Sequence, residues 1–203
     1  YGRYRSGPWR VDAIAIAGTS ESWSKRTLMV GGLSRVAQTS YDGHGEDLHI
    51  EAAYALRPAA NLEIEPFLGL QWSRQRDEAY LESGAGILDL AVNSQNSESL
   101  RSTLGLRTAR SFDLRDSRVT VEGRLAWGHE FRDRAWFGAR LASDLSGQVF
   151  KVAALDRPRN SLLVGLGVSA EATRSLRLYV DLASEFNGGE QVRAISFGLR
   201  YHW

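Results

Sequence analysis

Several features that define common protein classes are missing from this 203-residue chain. It contains no cysteine, which excludes disulfide scaffolds, thiol catalysis and cysteine-based zinc sites. No run approaches the roughly 18 consecutive apolar residues that a membrane-spanning helix needs. Neither charge predominates, since 25 Lys and Arg stand against 24 Asp and Glu for a formal net charge of +1. Without a basic stripe, we expect no nucleic-acid partner.

What the chain has is alternation with a period of two. Apolar or aromatic residues occupy the odd positions from Ile195 to Trp203, and small or polar residues occupy the even ones. The same pattern recurs in residues 48–56, 62–72, 119–130 and 176–185. A period of two predicts strands with one apolar and one polar face, and the short polar turns between them predict antiparallel neighbours. The fold class is therefore predicted to be all-β.

Two all-β architectures produce this alternation: a soluble sandwich or calyx, and a membrane barrel with its apolar face toward lipid. The polar face decides between them. It carries opposite charges of Arg against Asp or Glu, whereas lysine occurs only at positions 25 and 151. Such a face is typical of a barrel lumen, so the sequence predicts an antiparallel transmembrane β-barrel. The predicted lumen-lining charged residues are Glu51, Glu63, Glu65, Arg101, Arg107, Glu122, Arg124, Glu130, Arg177, Asp181 and Arg200.

The predicted hairpin of residues 98–112 and 117–131 has two registers that keep its polar positions paired. One places Arg107 opposite Glu122, and the other places Arg101 opposite Glu130. Either register predicts an ion pair in the lumen. Within the neighbouring strand, Pro66 lacks a backbone N–H, so we expect a bulge or an unpaired site there.

Aromatic residues on the apolar face predict two interfacial girdles. If the C-terminal end lies at the periplasmic rim, strand directions place Phe186, Trp72 and Phe131 near the outer rim and Tyr54 and Tyr201 near the inner one. The long segment 74–96 then lies outside the cell, and the connections at 57–61 and 113–117 are short periplasmic turns. The predicted girdle residues are Tyr54, Trp72, Trp127, Phe131 and Phe186.

Short motifs in a fixed order along the chain resemble the C-terminal translocator β-barrel domain of bacterial autotransporters, the type V secretion family. The resemblance spans essentially the whole chain, and it departs from the family in ending on Trp203, where Phe is commoner. Among the matching pieces are Ser40-Tyr41-Asp42-Gly43-His44, Glu51-Ala52-Ala53-Tyr54, Tyr80-Leu81-Glu82-Ser83-Gly84, Trp127-Gly128-His129-Glu130-Phe131 and Gly198-Leu199-Arg200-Tyr201-His202-Trp203.

The resemblance implies a twelve-stranded pore traversed by an α-helix that links it to a secreted passenger. Residues 1–203 are expected to form one barrel domain that lacks the first two to three strands, with residues 135–154 as an extracellular hairpin loop. An alternative count makes 24–30, 135–143 and 147–154 into strands and closes twelve within this chain. The nine full-length strands are predicted near 9–21, 33–42, 45–58, 61–76, 98–112, 117–131, 160–172, 175–187 and 192–203.

The resemblance also implies a function and a location. The chain is expected to be integral to the Gram-negative outer membrane, to anchor an N-terminal passenger and to support its translocation, without a cofactor. The implied partners are outer-membrane lipid and lipopolysaccharide, the barrel assembly machinery, and the chain's own passenger and linker helix. The last strand resembles the signal that this machinery reads, carried by Ile195, Phe197, Leu199, Tyr201 and Trp203.

The alternating strands are also compatible with two functions other than translocation. A pore or adhesin-like barrel without a passenger would have the same strands. An outer-membrane lipid hydrolase would need a nucleophile and a base on the lipid face, where Ser102 and His129 are predicted to lie about diagonal on adjacent strands. Because no acid shares that face to orient His129, the chain is predicted not to be an enzyme. The four histidines are too scattered to predict a metal site.

Overall fold

The alternating segments form antiparallel strands in a computed structural model that describes residues 1–114, 117–134, 136–144, 146–153, 158–173 and 175–201. A single turn of 3-10 helix at Gly86–Leu88 lies between two of the strands. No helix in these ranges is long and apolar enough to cross a membrane. The strands are β1 (Gly2–Ser6), β2 (Trp9–Val30), β3 (Leu33–Tyr54), β4 (Leu56–Ala59), β5 (Leu62–Asp77), β6 (Tyr80–Leu81), β7 (Leu90–Val92), β8 (Gln95–Leu114), β9 (Ser117–Arg134), β10 (Trp136–Leu141), β11 (Phe150–Ala153), β12 (Asn160–Glu171), β13 (Leu176–Asn187) and β14 (Glu190–Tyr201).

The main sheet has the order β1-β2-β3-β5-β8-β9-β12-β13-β14, with β4 paired to β5. Every pair in it is antiparallel, which confirms the predicted fold class. Strands that are consecutive in this order follow one another along the chain. Among the described residues, β1 pairs only with β2 and β14 only with β13.

The prediction of separate strands at 33–42 and 45–58 is wrong, because β3 runs without interruption through Asp42-Gly43-His44-Gly45. These glycines serve close packing rather than a turn. A Cβ atom on Gly43 would lie 2.8 Å from the side chains of both Asp77 and Ser20. The turn lies instead at Gly31-Gly32, whose φ angles of 56° and 82° favour glycine. The described sheet therefore has eight long strands rather than nine.

A second, four-stranded sheet has the order β11-β10-β7-β6. The predicted hairpin 135–154 forms the pair β10–β11, although residues 135, 145 and 154 lie outside the described ranges. Residues 24–30, in contrast, continue β2. The alternative count is therefore wrong for 24–30, whereas strands β10 and β11 fall within its segments 135–143 and 147–154 but belong to the second sheet. The second sheet meets β3 where Gln38 and Ser83 exchange two backbone hydrogen bonds.

The two faces of the main sheet differ in size and polarity of side chain. One row of cross-strand partners contains Leu68 and Leu104, which are 57% and 58% exposed although apolar. The opposite face buries Ala53, Phe67 and Ala126 together. We call the first the outer face and the second the inner face. A soluble protein would bury its apolar face, so the exposed apolar face is suited to lipid.

Pro66 confirms the prediction of an unpaired site. On one side of β5, Pro66 keeps regular register with Leu106 of β8. On the other side, pairing stops at Ala53 and Phe67 and resumes at Leu56 and Ile64. The strand interruption therefore lies beside the residue that has no N–H to donate.

Candidate functional site

Four strands bring two arginines and two glutamates together on the inner face. Arg107 of β8 donates from Nη1 to Glu51 Oε1 at 2.8 Å and to Glu65 Oε1 at 3.0 Å. Arg10 of β2 donates from Nη2 to Glu65 Oε1 at 2.6 Å and to Glu51 Oε1 at 3.2 Å. The residue Glu51 is only 6% exposed. We call Arg10, Glu51, Glu65 and Arg107 the four-residue cluster; each of its charges meets two of the opposite sign.

Arg10 and its strand neighbour Asp12 belong to this site but were missed by sequence reasoning. Arg10 pairs with Asp12, whose Oδ1 also accepts a 2.5 Å hydrogen bond from Arg3 Nε. The reason for the omission is that Ile14 and Ile16 continue the same face of β2 and break the polar pattern. The odd positions of β2 carry Val11 and then alanines, which indicates that Arg10 and Asp12 at the even positions lie on the polar face.

Phe67 lies under two arginines next to the four-residue cluster. The guanidinium carbon of Arg107 is 3.9 Å from the ring centroid, and that of Arg124 is 4.9 Å away. Such cation–π contacts hold a guanidinium without neutralising it. Within the described residues, Arg124 has no ion pair, and its side chain lines a groove on the inner face.

The register of the β8–β9 pair places Arg101 opposite Glu130 and Arg107 opposite Arg124. The ion pair predicted from that register is nevertheless wrong. A register irregularity at Leu100 and Arg101 lets Glu130 accept from the Leu100 N–H at 2.9 Å and from Ser99 Oγ at 2.6 Å. The side chain of Arg101 leaves its cross-strand neighbour and donates to another carboxylate.

Arg101 reaches across the inner face to β13, where its Nη2 lies 2.6 Å from Glu185 Oε1. The same nitrogen also bonds to Ser161 Oγ of β12. Gly128 of β9 lies beneath this path, and a Cβ atom there would come 2.6 Å from Arg101 Nη2. Glycine at this position therefore allows the arginine to span three neighbouring strands.

The other predicted inner-face charges form no single cluster. Glu63 pairs with Arg57 at 2.9 Å beside the β4–β5 turn, and Arg177 pairs with Glu171 at 2.5 Å beside the β12–β13 turn. Arg200 is the cross-strand partner of Arg177 and has no ion pair in the described ranges. The period of two correctly predicts that Glu63 and Arg177 lie on the inner face. Their ion-pair partners, Arg57 and Glu171, lie beside the neighbouring turns.

A groove of about 370 Å³ lies on the inner face beside the four-residue cluster. Its charged lining consists of Glu63, Glu65, Arg107, Glu122, Arg124 and Asp181, and the last three have no ion pair among the residues that the structure describes. Gly165 and Gly167 are part of its wall; a Cβ atom on Gly167 would lie 2.6 Å from Asp181 Oδ1. The groove combines unpaired donors and acceptors with a small-residue floor. No group of three or more His, Asp or Glu in the described ranges is arranged to hold a metal ion.

The predicted girdle residues lie on the outer face. Trp72 donates from Nε1 to Glu98 at 2.9 Å, and Tyr54 packs edge-on against Trp9 with 4.9 Å between centroids. Trp127 and Phe131 flank one histidine, and Phe186 shares a cross-strand row with Trp127 through Leu162. Their role at a lipid interface stays a prediction.

The predicted assembly signal forms the outer face of β14. Ile195, Phe197, Leu199 and Tyr201 all project there, with Phe197 83% exposed. Trp203 lies outside the described residues. The role of this face in assembly stays a prediction.

Ser102 and His129 are directly opposite each other rather than diagonal. His129 Nδ1 lies 2.8 Å from Asn160 Oδ1, which also accepts from Trp127 Nε1 at 3.2 Å. Within the described part of the chain, Ser102 and His129 share no hydrogen bond. The contact between nucleophile and base that hydrolysis requires is therefore not formed. His129 instead packs among the rim aromatics.

An apolar outer face, a charged inner face and antiparallel strands long enough to cross a bilayer define an outer-membrane β-barrel protein. The model of the autotransporter beta-domain family matches residues 1–183. The chain therefore belongs to the autotransporter β-domain family. This confirms the expected barrel class and the integral outer-membrane location.

The matches to individual relatives also cover nearly the whole chain, although their sequence identity to it is low. Two extracellular serine proteases of Serratia marcescens are 23% identical over 202 residues, which is 97% of this chain and 19% of each relative. The chain thus spans about a fifth of the length of these relatives. The solved β domain of the Bordetella autotransporter Brka is 17% identical, with a TM-score of 0.34 and coverage of 98% of this chain and 94% of that one.

Proposed function

We propose that this chain anchors a passenger in the outer membrane and that its inner face contacts the passenger's linker helix during translocation. The arrangement of charge on the inner face carries the proposal. Charged side chains from at least six strands of the main sheet point to the same side, away from the apolar face. As a polypeptide passes this surface, its polar groups can replace hydrogen bonds to water by hydrogen bonds to the charged side chains of the inner face.

The inner face has two parts with different uses. The four-residue cluster is satisfied internally and braces β2, β3, β5 and β8 against each other. In the adjoining groove, Glu122, Arg124 and Asp181 have no ion pair within the described residues. Free groups of both signs on a small-residue floor can bind a helix or an extended chain through many weak contacts. Weak contacts at several sites permit release, which transport requires.

The arrangement of connections supports an orientation for the proposed function. The turns at 31–32 and 188–189 and the second sheet lie at one end of the main sheet, and the turns beside Arg57 and Glu171 lie at the other. Outer-membrane barrels have their longer connections outside and short turns in the periplasm. The β10–β11 hairpin is accordingly placed outside the cell. Lipid, lipopolysaccharide and the assembly machinery are the remaining proposed partners.

We further propose that the chain itself is not an enzyme. The Serratia relatives are named proteases, but the chain matches only 19% of their length. On the outer face, His129 is bonded to Asn160 and not to Ser102. Purified chain in detergent should therefore release no fatty acid from phospholipid above the rate of a Ser102→Ala, His129→Ala double variant. Turnover that this variant loses would establish a hydrolase instead.

The experiment on translocation uses this chain fused to its own upstream passenger and linker. Protease added to intact cells measures the fraction of passenger exposed at the surface over time. Replacing Glu122, Arg124 and Asp181 together by Gln, Gln and Asn should slow exposure several-fold, while the heat-modifiable folded barrel forms at the normal level.

A matched control replaces the exposed pair Asp113 and Arg118 by Asn and Gln, which removes two charges beside a short turn and outside the groove. This control should expose the passenger at the wild-type rate. Equal rates for the groove variant and the wild type would contradict the role of the inner face. Loss of the folded barrel in the groove variant would instead assign these charges to barrel stability.

A further inference from the structure

The outer face changes from apolar to charged between two successive rows of side chains. Leu48, Trp72 and Leu100 form one cross-strand row on β3, β5 and β8. The next row toward the longer connections contains Glu46, Arg74 and Glu98. On β5, the apolar row positions extend from Leu62 to Trp72, which is about 33 Å along the strand and about 25 Å across a bilayer at the usual tilt. The charged row therefore lies at the boundary of the hydrocarbon region.

A groove of about 610 Å³ opens on the outer face at this boundary. Arg74 and Arg76 of β5 and their cross-strand partners Glu46 and His44 of β3 line it. All four have the same parity as Leu48 and Trp72, so they point outward and not into the lumen. Glu78, Ala79 and Ser94 complete the wall. The groove is thus a polar site directly continuous with an apolar surface.

The two arginines of this groove are available for a ligand. Within the described residues neither has an ion pair, although Glu46 is the cross-strand partner of Arg74. Arg74 Nε donates a long hydrogen bond of 3.4 Å to Asn96 Oδ1. Arg132, which lies at the same boundary, is in contrast ion-paired, since its Nη1 lies 2.9 Å from Glu98 Oε1. Unpaired guanidinium groups side by side suit a doubly or multiply charged oxyanion, which they bind through bidentate hydrogen bonds.

We propose that this groove binds the phosphorylated sugar headgroup of an outer-leaflet glycolipid. Arg74 and Arg76 bind a phosphate, and the carboxylates of Glu46 and Glu78 accept hydrogen bonds from sugar hydroxyls. The acyl chains lie against Leu48, Leu70 and Trp72 below the groove. A free phosphate would use only the arginines, whereas the mixed charges and the adjoining apolar rows fit a ligand with three chemically different parts.

The test measures binding of lipid A to the full chain folded in nanodiscs of phosphatidylcholine, by native mass spectrometry. Replacing Arg74 and Arg76 together by Gln should weaken binding about tenfold, since charged hydrogen bonds to phosphate are lost. Arg110→Gln is the matched control. Arg110 is an exposed outer-face arginine near the opposite end of the apolar rows, beside Phe112. This control should bind lipid A within about twofold of the wild type.

The second arm of the test uses lipid A from which the phosphates have been removed. The wild type should bind this lipid as weakly as the Arg74→Gln, Arg76→Gln double variant binds intact lipid A. Inorganic phosphate at millimolar concentration should not displace the intact lipid. Equal affinities of the wild type and the double variant, or equal losses in the double variant and in Arg110→Gln, would overturn the proposal. The single variant Arg76→Gln, whose side chain has no partner in the described ranges, serves if the double variant fails to fold. The proposal rests on the orientation and the lipopolysaccharide partner proposed above; because no passenger is present, a negative result leaves the proposed translocation untouched.

Discussion

Gly105 lies directly opposite Phe67 in the β5–β8 pair, and the aromatic ring fills the space that a side chain at position 105 would occupy. A Cβ atom on Gly105 would come 2.6 Å from Phe67 Cζ and 2.5 Å from Ala126 Cβ. Phe67 is 3% exposed and carries Arg107 and Arg124 on its ring. The glycine thus sets the position of the ring, and the ring in turn positions two guanidinium groups of the inner face.

Gly105→Ala should destabilise the folded barrel by about 1–3 kcal/mol, because the new methyl group overlaps both the ring and Ala126. Urea unfolding in lipid vesicles, followed by tryptophan fluorescence, measures the change. Gly18→Ala is the control, since a Cβ atom there meets nothing within 4 Å. Leucine is smaller than phenylalanine, so Gly105→Ala should cost less unfolding free energy when it is introduced into the Phe67→Leu variant than into the wild type. A neutral Gly105→Ala would show that the ring is free to move.

Glu51→Gln should destabilise the barrel by about 2–4 kcal/mol, because Arg10 and Arg107 then lose a nearly buried charged partner. The same unfolding assay applies, with Glu63→Gln as its control. Glu63 also pairs with an arginine, but the pair is exposed and its loss should cost less than about 1 kcal/mol. Equal effects of the two variants would mean that the four-residue cluster contributes no more than a surface ion pair.

Glu82→Gln should loosen the second sheet from the β2–β3 hairpin. Glu82 is 6% exposed; its Oε1 accepts from Arg26 Nε at 3.1 Å and its Oε2 from the Leu90 N–H at 2.9 Å. The hydrogen bond to Glu82 also raises the pKa of Arg26 above its usual value. Limited proteolysis of intact cells should cut residues 78–93 faster in this variant than in Glu78→Gln, whose carboxylate is exposed. Unchanged cutting would assign the attachment to the remaining contacts, which include the Gln38–Ser83 bridge and the hydrogen bond from Thr39 Oγ1 to the Leu81 carbonyl.

The turn at Asp144 should weaken in acid. Hydrogen bonds from the Ser146 hydroxyl and the Ser146 N–H hold the pKa of Asp144 below its usual value. A carboxylate with a lowered pKa stabilises the folded turn above its unfolded pKa, and this contribution disappears as pH falls through the folded pKa. NMR titration of the carboxyl carbon should show the low midpoint. Ser146→Ala removes the hydroxyl and should move that midpoint part of the way back toward the ordinary value; an unmoved midpoint would exclude the hydroxyl hydrogen bond as a cause.

Phe197→Ser should lower the yield of inserted barrel in cells, because the exposed aromatic face of β14 is the proposed assembly signal. Deletion of Trp203 should act in the same direction. The heat-modifiable fraction on SDS gels measures insertion, and Ser196→Ala on the inner face of the same strand is the control. If the variants insert normally in cells but refold poorly in detergent, the aromatic face serves stability and not recognition.

Strand positions and faces could be predicted from the sequence because a period of two is a local property. Glu51, Glu65 and Arg107 were placed on one face correctly for that reason. Pairing was less predictable, since it depends on side-chain reach across strands: Arg101 was expected to pair with Glu130 but bonds to Glu185. Glycines at positions 43 and 45 predict a turn, but in the fold they let side chains of the neighbouring strands β2 and β5 lie close against β3. Arg10 was not predicted as an inner-face residue, because Ile14 and Ile16 at the same parity interrupt the polar pattern of its strand.

The β2–β3 hairpin continues well past the charged boundary row, from Glu46 to Leu33 on one strand. Thirteen further residues add about 40 Å of strand, or about 30 Å of height at the usual tilt. With the proposed orientation, the Gly31-Gly32 turn stands clear of the inner sugars of the cell surface. A peptide tag inserted between these two glycines should therefore be accessible to antibody on living cells without altering any residue of the pore wall.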